Sequence, residues 1–177
     1  MKQTIHGVTI ELVQGDITKQ PDLDAVVNAA NGWLTSGGGV AGAIHRAAGP
    51  GLAEECAPLA PISPGEAVIT SGHNLANPYV IHTLGPVYGK DKPEAEILSR
   101  CYRNCLRRGE EKNITSLGFP AISTGVFGYP AEKAAREAIA TLLAEAEGLQ
   151  TITLIRFVLF SDEDLRVHEE ALEGELS

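Results

Sequence analysis

Ser36-Gly37-Gly38-Gly39-Val40-Ala41-Gly42-Ala43-Ile44-His45 runs from a loop without side chains straight into a helix. Before it, Ala25 to Asn28 reads as a short buried strand. After it, Val40 to Ala48 reads as a helix with Val40, Ile44 and Ala47 on one side. The stretch is therefore a strand-to-helix connection. Its glycines let backbone N–H groups crowd around one point, and the helix start adds partial positive charge there. Together these make an anion cradle, most often for phosphate. A lone glycine triplet would equally suit a flexible loop. The neighbours Asn28-Ala29-Ala30-Asn31 and, much later, Ser123-Thr124-Gly125-Val126-Phe127-Gly128 favour the cradle.

Outward from this unit, strands and helices alternate. Val8 to Val13, Ala67 to Ser71, Tyr79 to Thr83, Ser116 to Ala121 and Thr151 to Phe160 read as strands, the last being the longest. Helices are predicted over Pro93 to Lys112 and from Pro130 to Glu147, with Gly148 suited to the C-terminal cap, and over Asp162 to Glu173. Ala57 to Gly65, with Pro58, Pro61 and Pro64, reads as a rigid loop. The alternation predicts an α/β fold: a three-layer α/β/α sandwich with a mixed, largely parallel central sheet, formed by residues 1–177 as a single domain. Ligands of such sheets bind where strand ends meet loops and helix starts. The two glycine-containing loops both follow strands, which predicts that they face each other across one cleft.

Composition narrows the partners. With 177 residues, 44% apolar and 21% charged, the chain is an ordinary globular length and mixture. Its formal net charge of −9 argues against nucleic acid and against anionic membrane, whose capture rests on Lys and Arg. It does not argue against a small phosphorylated ligand held by neutral N–H groups. No stretch is apolar enough to span a bilayer, and the polar start is unlike a signal peptide. Three cysteines, Cys56, Cys101 and Cys105, form no metal-ligand cluster and point to a reducing, cytoplasmic setting with buried thiols. No metal or other cofactor is implied.

Gly37-Gly38-Gly39-Val40-Ala41-Gly42 matches G-x-G-x-x-G in form. A dinucleotide-binding fingerprint would need the strand to end at the first glycine and an acidic residue at the end of the next strand. Here the strand ends near Asn28, and the next one ends Thr70-Ser71. No Gly-Lys-Ser/Thr follows, so a P-loop is excluded.

Several motifs in order resemble the macrodomains, over nearly the whole chain. They are Gly15-Asp16-Ile17-Thr18, Val27-Asn28-Ala29-Ala30-Asn31, Gly37-Gly38-Gly39-Val40, Ala43-Ile44-His45-Arg46-Ala47-Ala48-Gly49, Val80-Ile81-His82-Thr83-Leu84-Gly85-Pro86, and Ile122-Ser123-Thr124-Gly125-Val126-Phe127-Gly128-Tyr129-Pro130. The MacroD-type branch looks most alike. The resemblance implies binding of ADP-ribose and of mono-ADP-ribosylated proteins. For many members it also implies release of ADP-ribose from acidic side chains or deacetylation of O-acetyl-ADP-ribose.

Asp16, by itself a turn or cap residue, resembles the carboxylate that accepts from the adenine amine, with the Ile17 N–H beside it. Phe160, by itself a core aromatic, resembles the ring under adenine. Gly37, Gly38, Gly39 and Val40 are implied to bind one phosphate, and Ser123, Thr124, Gly125, Val126 and Phe127 the other. Ser123 to Gly125 alone would suit a plain strand-to-helix turn. Asn31 is implied to orient the distal ribose and Phe127 to lie over it. Asn31, Gly38 and Phe127 are thus the catalytic candidates. Asn28 is expected to brace its own loop. His45 is expected in a hydrogen-bonded structural role, His82 in the core or behind the site, and His73 exposed in a turn. Tyr129 is expected to pack outside the site.

The sequence departs from the MacroD pattern at one place. Ala41 stands where those hydrolases usually carry Asp, which is thought to activate or position water. Alanine cannot accept a proton, and general-base help is typically worth roughly 10²–10⁴-fold. The residues leave three readings: a hydrolase of mono-ADP-ribosyl esters, a reader that binds ADP-ribose without turnover, and a nucleotide or RNA-end phosphatase-like protein. The acidic balance and the missing metal motif weigh against the last.

Overall fold

The strands place alternate residues on opposite faces of one sheet, and the two sets build separate cores. Val8, Ile10 and Leu12, with Ala25, Val27, Ile81, Phe157 and Leu159, pack into the larger core. Val26, Val80 and Val158 point the other way into the smaller one. The computed structural model describes all of residues 1–177. Its strands are β1 (Lys2–Ile5), β2 (Val8–Gln14), β3 (Ala25–Ala29), β4 (Ala67–Ser71), β5 (Tyr79–Thr83), β6 (Ser116–Phe119) and β7 (Leu154–Leu159). The helices are α1 (Gly39–Ala48), α2 (Gly51–Cys56), α3 (Glu94–Glu111), α4 (Ala131–Ala146) and α5 (Asp162–Leu176).

The sheet order is β1-β2-β7-β6-β3-β5-β4. The five inner strands run parallel, while β1 on β2 and β4 on β5 are antiparallel edges. Helices α3, α4 and α5 supply Leu98, Tyr102, Cys105, Ala135, Ala138, Leu142 and Leu172 to the larger core. Helices α1 and α2 supply Ile44, Ala48 and Leu52 to the smaller one. This is the expected three-layer sandwich with a mixed sheet. Cys56, Cys101 and Cys105 are free and buried, and burial pushes the Cys56 thiol up to about 11.

Two elements go unread in the sequence, and three expectations need correction. Lys2–Ile5, too polar to stand out in the sequence, is an edge strand, where exposed polar residues are tolerated. Helix α2 is the second unread element, and the expected rigid loop Ala57 to Gly65 opens with a 3-10 turn, Ala57–Leu59. The strand from Ser116 stops at Phe119, because Pro120 has no N–H for the ladder. The last strand is Leu154–Leu159, shorter than β2, and Phe160 lies beyond it. Its approach is held instead by Glu110, whose carboxylate accepts from the N–H groups of Gln150, Thr151 and Ile152.

Candidate functional site

The parallel strands end on one side, and the loops that leave them enclose a cleft of about 890 Å³. Gln14 at the end of β2 and Gly15, Asp16 and Ile17 after it line one end, with Val158 and Phe160 of the β7 end and Asp164 of α5. Gly39, Val40, Ala43 and Arg46 of α1 form one wall, and Pro120, Ala121, Thr124 and Gly125 after β6 the opposite wall. The expected pairing of the two glycine-containing loops across one cleft is therefore present.

The first loop is shaped from within. Asn31 Nδ2 donates to the carbonyl and hydroxyl of Thr35, both at 3.0 Å, while Oδ1 accepts from the N–H groups of Trp33 and Thr35 at 3.1 Å. Leu34 sits in the left-handed region at φ +58°. Its side chain is fully buried in the smaller core, which contributes about 1.5–3 kcal/mol to hold that conformation. The chain then opens. Gly38 caps α1 without a side-chain partner, Gly39 has φ +56°, and no acidic residue occupies the first helical turn. None of the N–H groups from Gly37 to Ala41 donates to a protein acceptor. A Cβ on Gly42 would overlap the Gly37 carbonyl, so this helix can approach its own loop only with glycine there.

The opposite loop uses the same device. Ser123 at φ +69° and Gly128 at φ +74° bend the backbone. Tyr129 N–H to Ser123 O at 2.9 Å and Gly128 N–H to Gly125 O at 3.0 Å close it. The left-handed Ser123 costs about 1–3 kcal/mol, and its buried hydroxyl has no partner. The N–H groups of Ser123, Thr124, Gly125, Val126 and Phe127 all lack protein acceptors. Two sets of free backbone donors thus flank the cleft, and the field of α1 adds to one of them. A pyrophosphate suits that arrangement, since neutral donors hold it without lysines.

At the far end Asp16 Oδ1 accepts from Thr18 N–H at 2.9 Å and Thr18 Oγ1 at 2.6 Å. These bonds hold its carboxyl below the usual range. Asp16 is thus both the turn residue its type predicts and a wall of the cleft. Phe160 is 90% exposed; an aromatic at a strand end usually packs in the core, and this one is a free ring beside the cleft. A carboxylate acceptor next to a ring suits a base carrying an exocyclic amine.

Of the expected site residues, Asp16, Ile17, Gly39, Val40, Thr124, Gly125 and Phe160 line the cleft. Gly37, Gly38, Ser123, Val126 and Phe127 belong to its two loops, off that lining. Asn31 lies beside Gly37, 3.7 Å from where a Cβ on that glycine would stand. Its amide is spent on its own loop, so a ligand would reach it only by exchange for a Thr35 bond. Arg46 was not foreseen. It follows Val40 and Ala43 on one helical face, the signal that could have found it, and it is the cleft's only cation.

The histidines and Asn28 differ in part from expectation. Asn28 does not brace its loop; its Nδ2 meets His82 Nδ1 at 3.0 Å, and its Oδ1 is buried without a partner. His82 Nε2 meets Thr70 Oγ1 at 3.0 Å, and burial, reinforced by His45, pushes its pKa down to about 3. It is neutral core, as expected. His45 is buried, but its Nε2 has no partner, so burial rather than a hydrogen bond defines it and lowers its pKa. His73 is exposed and bonded to Glu55 at 2.8 Å. Tyr129 is buried against Tyr88, ring centroids 4.8 Å apart.

A mixed α/β sandwich with two neutral donor loops beside an exposed ring has the form of a cleft suited to a base and a pyrophosphate. Comparison with known proteins gives the family. Residues 27–138 match the Macro domain family model. A macro domain-containing protein of Chlorobaculum tepidum is 48% identical over 170 residues, covering 94% of this chain and 96% of its own. The Oceanobacillus iheyensis macrodomain with ADP superposes with a TM-score of 0.95 at 41% identity, covering 99% of this chain and 96% of that one. The Trypanosoma brucei macrodomain in complex with ADP-ribose superposes at 0.86 with 38% identity, covering 92% and 68%. The chain belongs to the macro domain family.

Proposed function

We propose that this chain binds ADP-ribose and hydrolyses the ester joining it to acidic side chains of mono-ADP-ribosylated proteins, as MacroD-type enzymes do, and that O-acetyl-ADP-ribose is a second substrate. The observation that carries the reading is the pair of loops, Gly37 to Ala41 and Ser123 to Phe127, whose N–H groups lack partners on both sides of one cleft. The ADP and ADP-ribose complexes of the two related macrodomains support the ligand.

In this reading adenine lies on Phe160 and gives its amine proton to Asp16. Gly38, Gly39 and Val40 hold one phosphate; Thr124 to Phe127 hold the other. The distal ribose lies towards Asn31 and Phe127. Catalysis comes from positioning: the clamped pyrophosphate bends the ligand so that water reaches the ester or anomeric carbon. Neither His45 nor His82 serves as base in this reading, because both are buried and neither lines the cleft.

Ala41, 5% exposed at the start of α1, favours a second reading, a reader without turnover, since no carboxylate stands there. The two are separated by incubating the protein with a carrier mono-ADP-ribosylated on Glu or Asp and measuring released ADP-ribose beside calorimetric binding of the free ligand. Release with binding is the expected result. Binding without release overturns the hydrolase and leaves the reader; no binding overturns both.

A further inference from the structure

The loops beyond the distal end carry an unusual set of side chains. Three adjacent strands, β6, β3 and β5, end side by side, and the loop after each presents an exposed apolar residue. These are Val126 at 101% exposure, Trp33 at 69% and Tyr88 at 36%. The loops are tied together. Phe127 O accepts from Tyr88 N–H at 2.8 Å. Gly85 packs against Ser123, and Leu84 packs against Gly32, beside Trp33. Trp33 and Val126 therefore stand on neighbouring ridges rather than on opposite sides of the molecule. Isolated exposed apolar residues need no explanation. A group of three on interlocked loops next to a cleft is a different case.

The same rim gathers half of the lysines of a chain of net charge −9. Lys90 and Lys92 follow Tyr88, and Lys133 Nζ reaches the Tyr88 hydroxyl at 3.5 Å. These are three of the chain's six lysines; all three are exposed, and none pairs with a carboxylate within 4.0 Å. Of the acids of that loop, half-buried Asp91 accepts through Oδ2 from Val87 N–H at 2.8 Å, while Glu94 stays at the surface near Lys92 and Lys133, its Oε2 accepting from Gly89 N–H at 3.1 Å.

We infer that Trp33, Tyr88 and Val126, rimmed by Lys90, Lys92 and Lys133, form a docking surface for an acidic polypeptide segment that carries the ADP-ribosyl group. The inference rests on the proposed function, which puts the modified side chain at this end of the cleft. Trp33 supplies a flat apolar platform, as tryptophan does at binding hot spots. The lysines select carriers with acids flanking the modified residue and speed their encounter. Trp33 holds the loop only through its backbone N–H on Asn31, so its indole is free for the carrier and takes no part in binding free ADP-ribose.

The test uses the intact chain and two peptides bearing ADP-ribose through a non-hydrolysable linkage, one acidic and one basic. The expected result is about tenfold tighter binding of the acidic conjugate. Trp33→Ala, and separately Lys90→Glu with Lys92→Glu, abolish the preference while free ADP-ribose binds unchanged. Trp33 is the only tryptophan, so its emission should shift when the acidic conjugate is added and stay put with free ADP-ribose. Equal affinity for both peptides overturns the surface, as does an emission change with free ADP-ribose. Failure of free ADP-ribose itself to bind overturns the proposed function and the surface with it.

Discussion

Position 41 separates the two proposed readings of the cleft, hydrolase and reader. Alanine leaves the amino end of α1 without any acidic residue in its first turn, so the helix field acts undiminished on a bound anion. In the proposed hydrolase alanine also leaves that position without a base. Ala41→Asp should raise ester hydrolysis, within about 10²–10⁴-fold, without raising ADP-ribose affinity; released ADP-ribose and calorimetry measure the two, and an unchanged rate would show that water is activated elsewhere. Asn31→Ala is expected to lower turnover strongly. Because the Asn31 amide also closes the turn to Thr35, the substitution should loosen the loop as well, and persistent turnover would remove Asn31 from the distal end. Asp16→Ala should weaken ADP-ribose by about 1.5–3 kcal/mol while leaving ribose phosphate untouched; equal losses would move base recognition to another residue. At this scale motif and chemistry made Asp16 and the glycines legible. Arg46 was not, since one arginine in a helix reads as an exposed end. The Asn28–His82 pair was not either, because it joins residues 54 positions apart.

Elements carry the geometry these residues need. α1 approaches its own loop only because Gly42 lacks a Cβ. Gly42→Ala should therefore displace the Gly37 carbonyl and weaken ADP-ribose about tenfold or more, although alanine improves helix propensity by ~1 kcal/mol. Calorimetry beside thermal unfolding reads both, and unaltered affinity would show that the loop does not depend on this contact. Strong periodicity made α1, α3, α4 and the inner strands legible, with β4 and β5 read to the residue. The weak elements escaped. β1 is polar because its face is open, and α2 is six residues of mixed character. The start of β7 reads too early in the sequence because Thr151 and Ile152 look like strand, whereas Glu110, far away in sequence, takes their N–H groups.

For the whole molecule, two cores on either face of one sheet fix where the strands end, and so where the loops meet. The buried His82 ties this frame to pH. Its pKa falls from 6.5 to about 3 on folding, so between those values the unfolded chain binds the extra proton. The stabilisation is full above the unfolded value and is lost as pH drops towards the folded one. At pH 5 the loss is about 2 kcal/mol, with His45 acting in the same direction. Urea midpoints at pH 7 and pH 5 check this, and identical midpoints would contradict it. No helix is long and apolar enough to cross a membrane. The layer order and the facing of the two loops were legible from the alternation of strands and helices. The free N–H groups were not, because a sequence does not show which donors the fold leaves unpaired. The central claim concerns those donors, and a crystal structure of the chain with ADP-ribose tests it most directly. The account predicts phosphate oxygens about 3 Å from the N–H groups of Gly39 or Val40 on one side and of Thr124 to Phe127 on the other, with adenine on Phe160. A ligand held elsewhere, or a pyrophosphate that touches neither loop, would contradict it.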